Sequence, residues 1–145
     1  MPRPTEGPGD GAYEPGALSV AVDDEGPVRI VTVTGELDHD TAHRLREALA
    51  RPLVDGLERI VVDLTDLRFC DSTGLNVLLR ARLDAQTAGR TVALVAPRPA
   101  VARLFSITGA DSVLRIHPDR ASALGPADAP GRPGPSGAPG PSGAS

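Results

Sequence analysis

The stretch from Ile60 to Leu79 constrains the fold most strongly, because it combines a strand pattern, a short polar connection and a helix pattern. Its apolar, β-branched start at 60–62 is typical of a buried strand. The leucines at 75, 78, 79 and 83 have the spacing of the apolar face of a helix. Between them, at 70–74, lies Cys-Asp-Ser-Thr-Gly, in which Asp, Ser and Thr are helix-starting residues. The pattern therefore places Ser72 at, or one residue from, the start of a helix.

Strand and helix patterns alternate through the rest of the chain. The segments 18–23 and 28–34 read as two strands joined by a turn, which predicts an antiparallel hairpin. Gly35 is expected to end the second strand, and Asp38 or Asp40 to cap the helix that follows. After the central stretch come a predicted strand, a helix, an edge strand and a last helical segment, at 91–95, 97–109, 113–116 and 119–124.

This order predicts an α/β fold with a mixed β-sheet of about five strands. The first two strands form the antiparallel hairpin, the rest are largely parallel, and about four helices pack against the sheet. We expect one domain at 17–124, preceded by a flexible N-terminal arm at 1–16. The segment 125–145 is rich in Pro, Gly, Ser and Ala, and this composition predicts a disordered tail.

The composition limits which classes of partner the protein is expected to bind and in which compartment it is expected to function. The formal net charge of −4 argues against nucleic acid or an anionic membrane as a partner. The single cysteine cannot form an internal disulfide, which suits a reducing compartment. No apolar run approaches the length of a membrane span, and the N-terminus lacks the apolar core of a signal peptide. We therefore expect a cytoplasmic protein.

Ser72 has two interpretations. As a helix N-cap it contributes about 1 kcal/mol to stability. As a phosphorylation site it lies where a phosphate is well tolerated, because free amides and the helix dipole favour negative charge there. A phosphoryl group adds about −1.5 to −2 charges and would spoil a partner surface that fits the bare hydroxyl. The neighbouring Asp71 and Thr73 provide other candidate caps, and Thr73 is also a second, less favoured phosphate acceptor.

Other residues near Ser72 are expected to form a partner-binding surface. The exposed side of the helix is predicted to carry Thr73, Asn76, Val77 and Arg80. Gly74 lowers helix propensity by roughly 1 kcal/mol relative to Ala, which indicates a need for backbone clearance near the helix start. Cys70 is expected to be a small buried apolar side chain.

Catalytic and metal sites are poorly supported. His39 and His43 are four residues apart among carboxylates, but neither a cysteine nor a third histidine joins them in the sequence, so a solvated helix start is the favoured interpretation. The nucleophile elbow of hydrolases reads G-x-S-x-G, whereas Ser72 lies in C-D-S-T-G. We predict neither an enzyme nor a cofactor or metal.

Three segments together resemble the anti-sigma factor antagonists of the STAS domain family. They are Thr-Gly-Glu-Leu-Asp-His at 34–39 with Thr-Ala at 41–42, then Asp-Leu at 63–64 with Phe69 and Asp-Ser-Thr-Gly-Leu at 71–75, and last Val101, Arg103, Leu104 and Phe105 with Thr108 and Gly109. The resemblance spans about 17–124, in the same order and with compatible spacing.

The resemblance implies a function and a site. The unphosphorylated protein would bind an anti-sigma factor that is also a serine kinase and so release a sigma factor. The kinase would phosphorylate Ser72, and a serine phosphatase would reverse this. Asp38 and Asp71 would be the acidic residues beside the phosphate, and the free protein would be a monomer. The alternative is a non-catalytic STAS scaffold in a larger signalling assembly, with Ser72 mainly a helix cap.

Overall fold

The computed structural model describes residues 17–52 and 54–125, which form a five-stranded sheet with four α-helices and one short 3-10 turn. In chain order the elements are β1 Leu18–Glu25, β2 Val28–Leu37, α1 Ala42–Leu49, β3 Arg59–Cys70, α2 Ser72–Thr87, β4 Thr91–Val95, α3 Pro99–Thr108, the 3-10 turn Ala110–Ser112, β5 Arg115–His117 and α4 Arg120–Leu124. The arm predicted at 1–16 and all but the first residue of the tail predicted at 125–145 lie outside the described residues. No described helix is both long and apolar enough to cross a membrane.

The sheet has the predicted topology. Its strand order is β1-β2-β3-β4-β5, with β1 antiparallel to β2 and each later pair parallel. The parallel pairs follow from helical crossovers between successive strands. The predicted mixed sheet and its hairpin are therefore confirmed, and all parallel strands end at the same edge.

Helices α1, α2 and α3 cover one face of the sheet, where the main core lies. Alternate strand residues point to this face, because side chains in a strand alternate between two sides. The fully buried side chains there come from both strands and helices and include Val31, Val62, Leu94, Leu45, Leu78 and Phe105. The opposite face carries a smaller apolar cluster formed by Val28, Ile30, Val61, Val95 and Ala123 of α4.

Strands β2 and β3 extend further than the sequence predicts. Gly35 was expected to end β2, but the strand continues to Leu37, and Gly35 has φ +112° beside a register shift. This shift and a second one between Thr32 and Thr34 each place an extra β3 residue opposite β2, and Leu64, Leu67 and Cys70 are buried at intervals of three residues. Such bulges re-aim side chains, so both strands reach the edge where the helices begin.

Helix α4 contacts the second face through polar side chains as well as through the buried Ala123. Arg120 Nε donates to Asp63 Oδ2 at 2.6 Å and its NH2 donates to Thr32 Oγ1 at 3.1 Å. Arg59 NH1 donates to the carbonyl oxygens of Ala123 and Gly125. Burial raises the pKa of Asp63, but hydrogen bonds from Thr65 and Arg120 outweigh it, and the pKa lies below its ordinary value.

The other predicted elements are confirmed with small shifts in their limits. Helix α3 runs from Pro99 to Thr108 and is followed by Gly109, whose φ of +81° suits glycine. The predicted edge strand at 113–116 is β5 at Arg115–His117, because a 3-10 turn occupies the preceding residues. Asp119 caps α4 by accepting a hydrogen bond from Ser122 N.

Candidate functional site

The candidate site lies where β2 and β3 end together. Leu37 and Cys70, the last residues of the two strands, are register partners, and Asp71 N donates to Leu37 O at 3.1 Å. Neighbouring strands are about 4.8 Å apart. Asp38 and Asp71 therefore leave adjacent strands at the same edge, although they are far apart in the sequence.

Asp71 is the N-cap of α2, and Ser72 is the first helical residue. Asp71 Oδ1 accepts from Gly74 N at 3.1 Å, and its backbone oxygen accepts from Leu75 N at 3.0 Å. Ser72 is exposed, and its hydroxyl makes no hydrogen bond with any residue that the structure describes. The predicted position of Ser72 is confirmed, but its interpretation as the cap is wrong, since the extended backbone and carboxylate of Asp71 perform the capping.

Asp38 stabilises the turn that leads from β2 into α1. Its Oδ1 accepts from Asp40 N at 2.9 Å and from Thr41 N at 3.1 Å. Thr41 Oγ1 in turn accepts from Asp38 N and donates to Glu36 O. These local hydrogen bonds are typical of an Asx turn. They fix the Asp38 carboxylate within this turn, and the sequence reasoning missed the role of the buried Thr41.

The limits of α1 correct two predictions. One concerns the residue that caps this helix, and the other concerns a pair of histidines on one of its faces. Because α1 begins at Ala42 after Thr41, neither Asp38 nor Asp40 is its N-cap residue. His39 lies before the helix and so does not share a helical face with His43; its Nε2 is 3.3 Å from Asp40 Oδ1, and both side chains are exposed. Across 17–52 and 54–125, no group of three or more His, Cys, Asp or Glu side chains could hold a metal ion.

Gly74 allows α2 to approach the end of β2. A Cβ atom there would lie 2.5 Å from Leu37 Cγ and 2.7 Å from Leu37 Cδ2. Distances under 3 Å force a rearrangement, and Leu37 is fully buried. The predicted need for clearance is confirmed. However, Gly74 is itself buried and does not contribute a side chain to a partner surface.

The outer face of α2 differs from the prediction at two residues. Asn76 and Arg80 are exposed and Thr73 is half-buried, as expected of a surface beside Ser72. Val77 is only 7% exposed and belongs to the core, because it lies roughly 140° around the helix from Ser72. Leu83, which was predicted to join the buried stripe, is 49% exposed on the same side as Ser72.

Cys70 and Phe69 precede the site and face opposite ways. Cys70 is buried as predicted; burial, followed by the negative charge of Asp71, raises the pKa of its thiol to about 12, so it stays protonated. Phe69, three residues before Ser72 in the sequence, is 48% exposed, which the sequence reasoning missed. The signal was present in the three-residue spacing of Leu64, Leu67 and Cys70, which leaves Phe69 outside the buried set.

Comparison with known proteins places these features in a family. The STAS domain family model matches residues 19–123. The anti-sigma F factor antagonist of Paenibacillus polymyxa is 35% identical over 112 residues, covering 74% of this chain and 92% of the relative. The anti-sigma-F factor antagonist RsfB of Mycobacterium tuberculosis is 29% identical, covering 76% of this chain and 89% of the relative.

A solved structure of an anti-sigma factor antagonist is also similar to this chain. The crystal structure of an anti-sigma factor antagonist from Mycobacterium paratuberculosis superimposes with a TM-score of 0.70 and 29% identity, over 78% of this chain and 96% of that protein. The chain therefore belongs to the STAS domain family, and within it to the anti-sigma factor antagonists.

Proposed function

We propose that this protein is an anti-sigma factor antagonist controlled by phosphorylation of Ser72. In its unphosphorylated form it binds an anti-sigma factor that has serine kinase activity, and a sigma factor is released. The kinase transfers a phosphoryl group from ATP to Ser72, the complex dissociates, and a serine phosphatase restores the binding form. The protein acts by binding and catalyses no step itself.

The observation that carries this proposal is the separation of roles between two neighbouring residues. Asp71 caps the helix, so Ser72 is not needed for capping and presents an exposed, unbonded hydroxyl. The names of the relatives supply the class of partner, an anti-sigma factor. The alternative function is a scaffold in which Ser72 mainly caps the helix. It is less well supported, because Asp71 and not Ser72 caps α2.

A phosphate on Ser72 would change the surface without unfolding the domain. The first-turn amides and the dipole of α2 favour a negative group at this position. Asp38 and Asp71 lie at the same edge and would repel it. The phosphate therefore adds about −1.5 to −2 charges to an already acidic edge, and a partner that fits the bare hydroxyl loses complementarity.

Binding of Ser72 variants to the anti-sigma factor kinase tests the proposal. The kinase is obtained from the native host by capture with the Ser72→Ala variant and is then purified. Ser72→Ala is expected to bind like the wild type in the absence of ATP and to remain bound when ATP is added. Ser72→Asp, which adds a negative charge, is expected to bind at least tenfold more weakly.

Thr73→Ala is the matched control, because it removes the neighbouring hydroxyl and leaves Ser72 in place. Because this variant keeps the proposed phosphate acceptor, ATP should release it from the kinase as it releases the wild type. Equal affinity of Ser72→Ala and Ser72→Asp for the kinase would contradict the proposal. Stable oligomers of the free protein in light scattering, with no kinase bound, would support the scaffold alternative.

A further inference from the structure

The exposed surface of α2 continues well beyond Ser72. Ser72, Asn76, Arg80 and Leu83 are spaced at intervals of four, four and three residues, so they follow one side of the helix. All four are exposed. We call this set the α2 stripe; it joins the proposed phosphorylation site to a guanidinium group and an apolar side chain two to three turns away.

The polar side chains of the α2 stripe have no role in holding the domain together. Asn76 and Arg80 make no hydrogen bond or ion pair with any residue in the described part of the chain. Other arginines do have such roles. Arg29, Arg59, Arg90, Arg98 and Arg120 each donate to a backbone carbonyl or a carboxylate. Arg80 is therefore available to a partner without loss of a contact within the domain.

The charges along the stripe change sign. Asp38 and Asp71 follow adjacent strands at the edge where α2 begins, whereas Arg80 lies eight residues after Ser72, or about 12 Å along the helix axis. A partner that covers both ends has to match an acidic edge and a single cation at this separation. Opposite charges across an interface set its orientation, and like charges exclude wrong partners. The stripe therefore fits a surface that presents a carboxylate against Arg80.

We infer that Arg80 is a specificity-determining residue for the anti-sigma factor kinase, which docks along the α2 stripe with an acidic side chain facing Arg80 and an apolar contact at Leu83. This inference rests on the proposed function. Arginine carries a large share of binding energy in protein interfaces, whereas leucine is under-represented among such residues. Charge reversal at Arg80 is therefore the more sensitive test.

The experiment measures phosphorylation of Arg80→Glu by the purified kinase that phosphorylates wild-type Ser72, at saturating ATP. We expect kcat/KM to fall about tenfold or more, mainly through KM, because docking is weakened and the reacting hydroxyl is unchanged. Arg80→Lys, which keeps the charge, should retain most of the activity. The deficit of Arg80→Glu should shrink at 1 M salt, where charges are strongly screened.

Arg103→Glu is the matched control, because Arg103 is also exposed, has no polar contact in the described residues and lies on α3. It should leave kcat/KM unchanged. Phosphorylation of Arg80→Glu at the wild-type rate, or an equal loss in Arg103→Glu, would overturn the inference while leaving the proposed function intact. Failure of any host anti-sigma factor kinase to phosphorylate wild-type Ser72 would overturn both.

Discussion

At the scale of single residues, Asp71 and Ser72 have different tasks although they are neighbours. The Asp71 carboxylate satisfies the amide of Gly74, while Ser72 is exposed and makes no such bond. Asp71→Ala should lower the free energy of unfolding by about 1 kcal/mol, the usual cost of losing an N-cap. Ser72→Ala should change it by less than about 0.5 kcal/mol, as expected of an exposed residue. Urea denaturation measures both, and an equal loss in the two variants would contradict this separation.

Gly74 offers a second test, because Leu37 occupies space that a side chain at this position would need. Gly74→Ala brings a Cβ into contact with the buried Leu37 side chain and should destabilise the protein by about 1–3 kcal/mol. Leu37→Ala alone should cost about 2–5 kcal/mol by leaving a cavity. In the double variant the new methyl group enters that cavity, so the combined loss should be smaller than the sum. Strict additivity in urea denaturation would show that the two side chains do not compete for space.

At the scale of elements, strands with a regular hydrophobic pattern were predictable from the sequence, whereas the irregular second half of β3 was not predicted. The alternation at 18–23 and the apolar runs at 28–34 and 91–95 identify strands, since each fits a strand buried on one or both faces. The second half of β3 has no period of two, because bulges leave its buried residues three apart. The three-residue spacing of Leu64, Leu67 and Cys70 is the trace that these bulges leave in the sequence, and the exposure of Phe69 was missed because this spacing was not used.

The buried side of helix α2 was also not fully predicted from the sequence. Its leucines predict a buried stripe, yet Leu83 is exposed and Val77 is buried. Residue type indicates which side chains can be buried, but the packing of α2 against β4 and α1 decides which ones are. The side of the helix that holds Gly74, Leu78, Ala81 and Ala85 faces inward, and Leu83 is turned away from it.

The ion pair between Asp63 and Arg120, which attaches α4 to the sheet, predicts how the stability of the protein depends on pH. The pKa of Asp63 is lowered in the folded protein, so its ionised form stabilises the fold at neutral pH, and this contribution is lost as the pH falls below about 4. Asp63→Asn should therefore reduce the free energy of unfolding at pH 7 by about 1–3 kcal/mol. The difference from the wild type should shrink as the pH approaches 3.

Urea denaturation between pH 7 and pH 3 tests this prediction. Asp66→Asn is the control, because Asp66 is an exposed carboxylate whose 3.8 Å ion pair with Arg98 is solvent-screened. It should change stability little at any pH in this range. A constant difference between Asp63→Asn and the wild type from pH 7 to pH 3 would show that the charge of Asp63 is not what stabilises α4.

At the scale of the whole molecule, the sheet gathers the proposed site from separate segments. Parallel strands end at one edge, and this brings Asp38 and Asp71 together across more than thirty residues of sequence. The element order was sufficient to predict this topology, and the motifs were sufficient to predict the family. The contacts at the site were not predictable, because they depend on the register of β2 against β3 and on the turn fixed by Thr41.

The most direct test of the whole account is mass spectrometry of the protein purified from its native host, before and after phosphatase treatment. Trypsin releases the peptide 69–80, which contains both Ser72 and Thr73, so fragment ions are needed to assign the site. The account predicts one removable phosphoryl group, on Ser72. Absence of phosphate under every growth condition, together with none after incubation with the host's anti-sigma factor kinases and ATP, would contradict it.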